Sequence, residues 1–376
     1  MSMTGIAMLK MVIMWALGGT LIFLAIKKNM EPSLLLPMGF GAILVNLPLS
    51  GAIDQMHGGV VEPGALSELF RAGIANELFP LLLFIGIGAM IDFGPLLSNP
   101  KLLLFGAAAQ FGIFMTLTLA CGLNMAFPGM FTLQDAASVA IIGAADGPTA
   151  IFVGNYYGTQ YLGAIIVAAY SYMALVPIVQ PPVIRAITTK KERQIRMPYE
   201  AKQISKTVRI LFPIIVTIIA GLIAPRSVSL VGFLMFGNLL RECTVLNSLS
   251  ETAQNALANL ITIFLGITVA TQMQADMFLT GGTLAIMLLG LFAFVFDTMG
   301  GVFFAKFINL FTKNKINPMI GACGISAFPM SSRVVHKMGL QEDPQNFLLM
   351  HAAGVNVGGQ IASVIAGGLI LNLIAK

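Results

Sequence analysis

The chain of 376 residues is poor in charge. Only 10% of it is Asp, Glu, Lys or Arg, against about 25% in a soluble domain. With 57% hydrophobic residues and a mean hydropathy of +0.88, that scarcity excludes a soluble globular enzyme and leaves a polytopic membrane protein. Cysteine is scarce too: Cys121, Cys243 and Cys323 are scattered through apolar segments, with neither disulfide nor zinc spacing. His57, His336 and His351 are far apart in sequence, so a histidine-based metal site has little support. A single tryptophan removes the aromatic belt as a guide to depth. Glycine and methionine are plentiful, at 39 and 23 residues; small residues let membrane helices approach closely. The first apolar run, Met11–Ile26, has no small-residue cleavage site and ends at Lys27-Lys28, so it reads as a retained anchor and not a signal peptide.

The net charge of +5 is concentrated in one place. Arg185, Lys190, Lys191, Arg193, Arg196, Lys202, Lys206 and Arg209 are opposed only by Glu192 and Glu200. Beside membrane spans such a loop marks the cytoplasmic face, and nucleic acid is not expected as a partner. The loop from Gly51 to Glu77 carries Asp54, Glu62, Glu68 and Glu77 against Arg71, which fits the opposite face.

The basic loop divides the chain into two hydrophobic halves that resemble one another. Residues 31–47 parallel 224–240 through Pro32/Pro225, Gly39-Phe40/Gly232-Phe233 and Asn46-Leu47/Asn238-Leu239. Residues 75–89 parallel 258–270, and IGAADGP (142–148) parallels IGACGIS (320–326). Duplicated halves of inverted topology are a recurrent transporter plan, with the site where the repeats meet near the midplane. The expected architecture is therefore all-α, with two inverted repeats, discontinuous helices and re-entrant segments arranged as scaffold and core. The first repeat covers 10–184, the basic cytoplasmic loop 185–207 and the second repeat 208–376. Six elements are expected per half: 11–26, 33–49 (short), 78–97, 102–126, 133–155 (broken) and 161–184, then 208–224, 228–240 (short), 256–273, 281–311, 315–333 (broken) and 344–375, the last with a break near Asn356. For 161–184 to end in the cytoplasm, 133–155 must re-enter from the face opposite the basic loop.

Asp146 is the most expensive residue in this plan. It lies within an apolar run and is followed by Gly147 and Pro148. An unpaired Asp at the centre of a membrane helix costs roughly 3 kcal/mol, and the two residues after it break helices. A charge placed where the backbone comes apart is how membrane proteins build ion sites; the plainer reading is an Asp capping a helix end. Three other polar stretches interrupt the chain: Tyr170, Ser171 and Tyr172 ahead of Pro177; residues 316–335 with Asn317, Ser326, Ser331, Ser332 and Arg333; and residues 351–363 with Asn356 and Gln360. Na⁺ is a hard cation that takes oxygen ligands, which a carboxylate, Asn carbonyls, a Ser hydroxyl and unwound backbone supply. Arg333 can hold a carboxylate bidentately. The plainer roles are interfacial snorkelling for Arg333, packing for Tyr172, a backbone bond for Ser326 and a turn for Asn317. Asp92 reads as a cap or turn residue, and Asp297 as a second ion ligand or a cap.

GAADGPTAIF (143–152), GIGAMIDFGPLLSNP (86–100) and KINPMIGACGISAFPMSSRV (315–334) resemble the hallmark segments of the β-subunits of biotin-dependent, sodium-pumping decarboxylases, whose members act on oxaloacetate, glutaconyl-CoA, methylmalonyl-CoA or malonate. The resemblance runs from about residue 10 to the C-terminus. It implies a bacterial plasma-membrane subunit that takes carboxybiotin from a carrier subunit, releases CO₂, consumes a proton and exports Na⁺. Asp146, Asn317, Asn356 and Ser326 would then handle the sodium ion, Ser326 and Tyr172 the proton, and Arg333 the carboxybiotin. Implied partners are the biotin carrier, the carboxyltransferase α-subunit, small membrane γ/δ subunits, membrane lipid and further copies of the chain. The residue before Asn356 is Val355 where the family motif carries proline, which leaves the expected break to Gly354, Gly358 and Gly359; Ser331-Ser332 replace small apolar residues. The competing function is a sodium-coupled carboxylate transporter without chemistry. The acid decarboxylated, the Na⁺ stoichiometry and the oligomeric number are not legible.

Overall fold

The computed structural model describes residues 5–28, 30–198, 203–327 and 330–375. Glu200 and Lys202 of the basic run lie outside the described residues. The chain is almost entirely helical: α1 (Gly5–Lys28), α2 (Pro32–Val45), α3 (Ala65–Gly73), α4 (Leu78–Met90), α5 (Gly94–Ser98), α6 (Leu103–Ala109), α7 (Phe111–Ala126), α8 (Leu133–Ala140), α9 (Gly147–Tyr157), α10 (Leu162–Ile187), α11 (Lys190–Arg193), α12 (Lys206–Ile223), α13 (Val228–Glu242), α14 (Asn247–Thr252), α15 (Ala258–Val269), α16 (Ala275–Phe278), α17 (Gly281–Phe311), α18 (Met330–Glu342) and α19 (Leu349–Leu373). A two-stranded hairpin, β1 (Gln55–His57) and β2 (Val60–Glu62), turns on Gly58 and Gly59, both at positive φ, as a tight hairpin turn requires.

Six helical stretches among the described residues are long and apolar enough to span a membrane, or eight if two sharply bent pairs count as spans. Their outward faces stay apolar. On α12, Leu211, Ile214, Ile215, Ile218, Ile219 and Leu222 are all exposed, a patch that water would not tolerate but lipid does. The bend of 67° in α10 between Met173 and Leu175 falls one turn before Pro177. That proline has no N–H for the Met173 carbonyl four residues back.

The expected broken segments are present, and each is a re-entrant hairpin. In the first, α8 leads into a 3₁₀ turn (Ile141–Ala144) and the chain returns as α9. Gln134 on α8 bonds the Ala375 carbonyl, and the Tyr157 hydroxyl at the end of α9 bonds the Ile370 and Ile374 carbonyls. Both ends of this hairpin therefore lie beside the C-terminus of α19. In the second, a 3₁₀ segment (Pro318–Gly324) leads in and α18 leads out. Asn317 bonds the Arg193 and Ile195 carbonyls, and Glu342 pairs with Arg193. Asn346, just before α19, bonds the same Arg193 carbonyl. A 25-residue helix is about 37 Å long, so the two hairpins enter from opposite faces. The first enters opposite the basic loop, as the charge pattern requires.

Helix packing is reciprocal between the halves. The chain packs α1 on α2 and α12 on α13, α2 on α15 and α13 on α4, α10 on α17 and α19 on α6. Asp92 is a turn residue, its carboxylate accepting the Gly94 N–H at 2.8 Å. One expectation is corrected: α19 runs unbroken through Asn356. Its glycines serve close approach. A Cβ on Gly359 would overlap the Gly324 carbonyl, and one on Gly358 would press against the Leu103 backbone.

Candidate functional site

The tips of the two hairpins meet at the middle of α19. The Ser326 N–H of the second tip donates to the Ala144 carbonyl of the first at 3.2 Å. Ala145 reverses the first tip in the left-handed region, at φ 49°, which costs a non-glycine residue about 1 kcal/mol. Asp146 follows in extended backbone and caps α9, accepting from the Thr149 N–H at 3.4 Å and from its hydroxyl at 2.6 Å. Pro148 fits the first turn because its missing N–H would have had no partner. The ring of Tyr170, on α10, covers Gly147 where a Cβ would stand, and its hydroxyl is buried without a hydrogen-bond partner.

α19 forms the third wall. Asn356, Gln360 and Ser363 recur at helical spacing on one face, and all three are buried. The Ser363 hydroxyl lies 3.4 Å from the Asp146 carboxylate and receives the Ser326 hydroxyl at 2.5 Å. Gln360 donates to the Ser326 carbonyl. Asn356 donates to the Cys323 and Ile325 carbonyls at 3.2 and 2.7 Å, and its own amide oxygen is buried without a partner. Such an oxygen is costly unless something positive meets it. Asp146, Ser326 and Asn356 are thus brought into one oxygen-rich junction, together with Thr149, Gln360 and Ser363.

The other expected residues lie around this junction. The Tyr172 ring packs against Gly290, as does Ile142 of the first tip, and its hydroxyl donates to the Met287 carbonyl. Asn317 is at the far end of the 3₁₀ segment, about 14 Å from Gly324 at 2 Å per residue. Its oxygen accepts the Met319 N–H and its amide nitrogen holds the basic loop. Arg333 is exposed on the first turn of α18. Its charge reaches Glu31 between α1 and α2, partly offsetting the upward push of burial on that carboxyl. Ser331 exchanges hydrogen bonds with Gln180 of α10, which gives this departure from the family pattern a buried partner. Thr149 and Ser363 join the site as Asp146 partners that the expected set does not include. Their signals were the cap spacing of three residues and the seven-residue step from Asn356.

The family of Na⁺-transporting oxaloacetate decarboxylase beta subunits matches residues 10–374. The methylmalonyl-CoA decarboxylase subunit beta of Propionigenium modestum is 48% identical over 96% of this chain and 94% of its own. That of Veillonella parvula is 47% identical over 97% and 93%. Oxaloacetate decarboxylase beta chain 2 of Salmonella typhi is 46% identical over 94% and 93%. Together with the membrane-spanning helices, a match of this extent shows that the chain belongs to the family of Na⁺-transporting decarboxylase beta subunits, the membrane components of bacterial sodium pumps.

Proposed function

We propose that this chain decarboxylates carboxybiotin presented by a partner's carrier domain and couples that step to Na⁺ export at the junction of the two hairpin tips. The observation that carries the reading is the row of close oxygens from Asp146 through Ser363 to Ser326, at 3.4 and 2.5 Å, with the unpartnered Asn356 oxygen beside it. It joins a carboxylate on one hairpin to a hydroxyl on the other through a fixed helix, at mid-depth, in reach of neither face. Na⁺ is held by Asp146, Ser326 and Asn356. Asn317 fastens the second hairpin to the basic loop, and the reciprocal helix packing supports an inverted duplication.

Carboxybiotin supplies a labile N-carboxyl group whose loss as CO₂ consumes one proton. Arg333, exposed at the cytoplasmic hairpin, holds that carboxylate bidentately. The carrier docks at the cleft lined by Arg196, Lys313, Asn314 and Lys315, beside the basic loop. When the anion leaves, Arg333 loses its partner and the second hairpin shifts against the first. Tyr172 and Ser326 pass a proton to the junction, and Na⁺ leaves outward. The coupling equals the difference in affinity between the two arrangements; a ligand without such a difference shifts nothing. The acid substrate, carboxyltransferase and small subunits belong to the complex around this chain.

The test uses the whole complex in inverted membrane vesicles. Radiosodium uptake driven by the complex's acid substrate is expected to stop when avidin blocks the carrier. Uptake that continues with avidin bound points instead to a sodium-coupled carboxylate transporter.

A further inference from the structure

Asp297 is unused by the site described above, and its surroundings are unusual. It lies at the middle of α17, 1% exposed, and neither carboxylate oxygen has a hydrogen-bond partner of proper geometry. The nearest donors are the backbone N–H groups of Gly112 and Ile113 at the start of α7. That is where the span from Pro100 to Ala126 is interrupted, at Gln110. On another side the carboxylate faces Gly143: a Cβ there would stand 3.1 Å from Oδ2. One turn further along α17, Gly301 packs on Gly321 of the second hairpin. Asp297 therefore borders the 3₁₀ turn leading to Asp146 and lies within a turn of the second hairpin's 3₁₀ segment. Gly112 must be glycine here, because its Cβ would occupy the place of the Asp297 carboxylate.

Two more orphan oxygens flank this point on the α6–α7 span, Gln110 Oε1 and Thr116 Oγ1, both buried and unpartnered. They stand two residues before Gly112 and four after it. None of the ion pairs among the described residues includes Asp297, and both its carboxylate oxygens are buried. A buried carboxylate without a countercharge is costly, and the α7 N-terminus supplies only about half a positive charge. We propose that Asp297 is a second cation-binding carboxylate, taking a small monovalent cation, Na⁺ or a proton, next to the turn that positions Asp146. It goes beyond the Asp146 assignment and rests on the sodium-pump family alone.

The test is carbodiimide labelling of the wild-type complex in detergent, because dicyclohexylcarbodiimide attacks a buried carboxyl only in its protonated form. Peptide mass spectrometry separates label on Asp297 from label on Asp146, so the two assignments fail separately. Label on Asp297 that rises as pH falls and is suppressed at least tenfold by NaCl, but not by choline chloride, assigns Na⁺. Label that rises as pH falls and ignores NaCl assigns the proton. Asp297 that takes no label at any pH, while Asp146 does, is a permanently ionised helix cap and overturns the proposal. The variant Asp297→Asn gives the independent reading. It is expected to lower the Hill slope for Na⁺ or to remove one step from the pH profile. A folded Asp297→Asn complex with both curves unchanged also overturns it.

Discussion

The two re-entrant hairpins differ more than their common shape suggests. The first is sealed. Every residue from Ala136 to Val153 is buried; Asp135 is bonded to Thr132 and Thr159 at the hairpin's outer end, and the one charge near the tip is Asp146, fixed by Thr149 and faced by Ser363. The second is tied to the basic loop and partly open. Asn317 binds that loop, Glu342 and Asp343 pair with Arg193 and Arg196, and Arg333, on the first turn of α18 near the tip, is exposed. One hairpin therefore holds charge at depth, while the other carries a linkage from the basic loop down to the same point. Coupling an event at the surface to an ion at the midplane needs both properties, and the chain keeps them on separate elements that touch at Ser326 and Ala144.

The sharpest way to break this contrast is Asp146→Asn. The variant keeps the shape of the cap but removes the charge. A lost charge-assisted contact of about 3 kcal/mol is about a hundredfold in Na⁺ half-saturation. Sodium-driven turnover and radiosodium uptake by inverted vesicles should both collapse. Uptake at the wild-type level would show that the first hairpin does not hold the ion.

Arg333→Lys probes the open hairpin and should separate from the first variant. The charge stays but the bidentate fork is lost, so carboxybiotin decarboxylation should fall about tenfold, the value of one strong hydrogen bond of about 1.4 kcal/mol. Na⁺ half-saturation should stay within twofold. A matching loss in both measurements would merge the roles of the two hairpins.

How far the sequence carries this contrast depends on which residues break the apolar pattern. Asp146-Gly147-Pro148 and Asn317-Pro318 announced both breaks, because a helix breaker beside a polar residue is rare within membrane segments. The excess of Lys and Arg from Arg185 to Arg209 pointed to the end opposite the one from which the first hairpin enters. The sequence misled at Asn356. Glycines at 354, 358 and 359 read as a break, yet an unbroken helix with a bare face packs more closely on α6 and the second tip; pattern alone does not tell a hinge from a groove. Partner choice was also hidden. Ser363 and Asn317 are equally polar in sequence, but the first lies beside Asp146 and the second faces Arg193 and Ile195, a difference set by tertiary packing.

That difference can be measured. Asn317→Ala removes two donors to the loop and one cap acceptor, each bond worth about 1 kcal/mol. Amides of residues 188–198 should exchange with deuterium roughly tenfold faster, since about 1.4 kcal/mol is tenfold, while Na⁺ half-saturation moves little. Should Na⁺ half-saturation shift as far as in Asp146→Asn, Asn317 ligates the ion and the second hairpin contributes charge coordination along its whole length.

The smallest expected effect lies at the outer end of the same linkage. Arg196 donates to both oxygens of Asp343. This bond, with the Gln345 N–H, holds the Asp343 carboxyl below its ordinary range. A carboxyl depressed in the folded state stabilises the pairing at every pH above its unfolded value, near 4, and loses that contribution as pH falls through the lower folded value. The wild-type loop should therefore stay docked through neutral pH and loosen only in acid, seen as faster exchange of residues 188–198. Asp343→Asn should flatten that acid limb and change neutral-pH exchange only slightly, because an exposed pair is well screened. Arg193–Glu342, with side chains only 12% and 16% exposed, still anchors the loop in the variant. An acid limb of undiminished steepness in Asp343→Asn would show that the outer pair does not set the loop's pH sensitivity, and the inner Arg193–Glu342 pair would then be the one that ties the basic loop to the second hairpin.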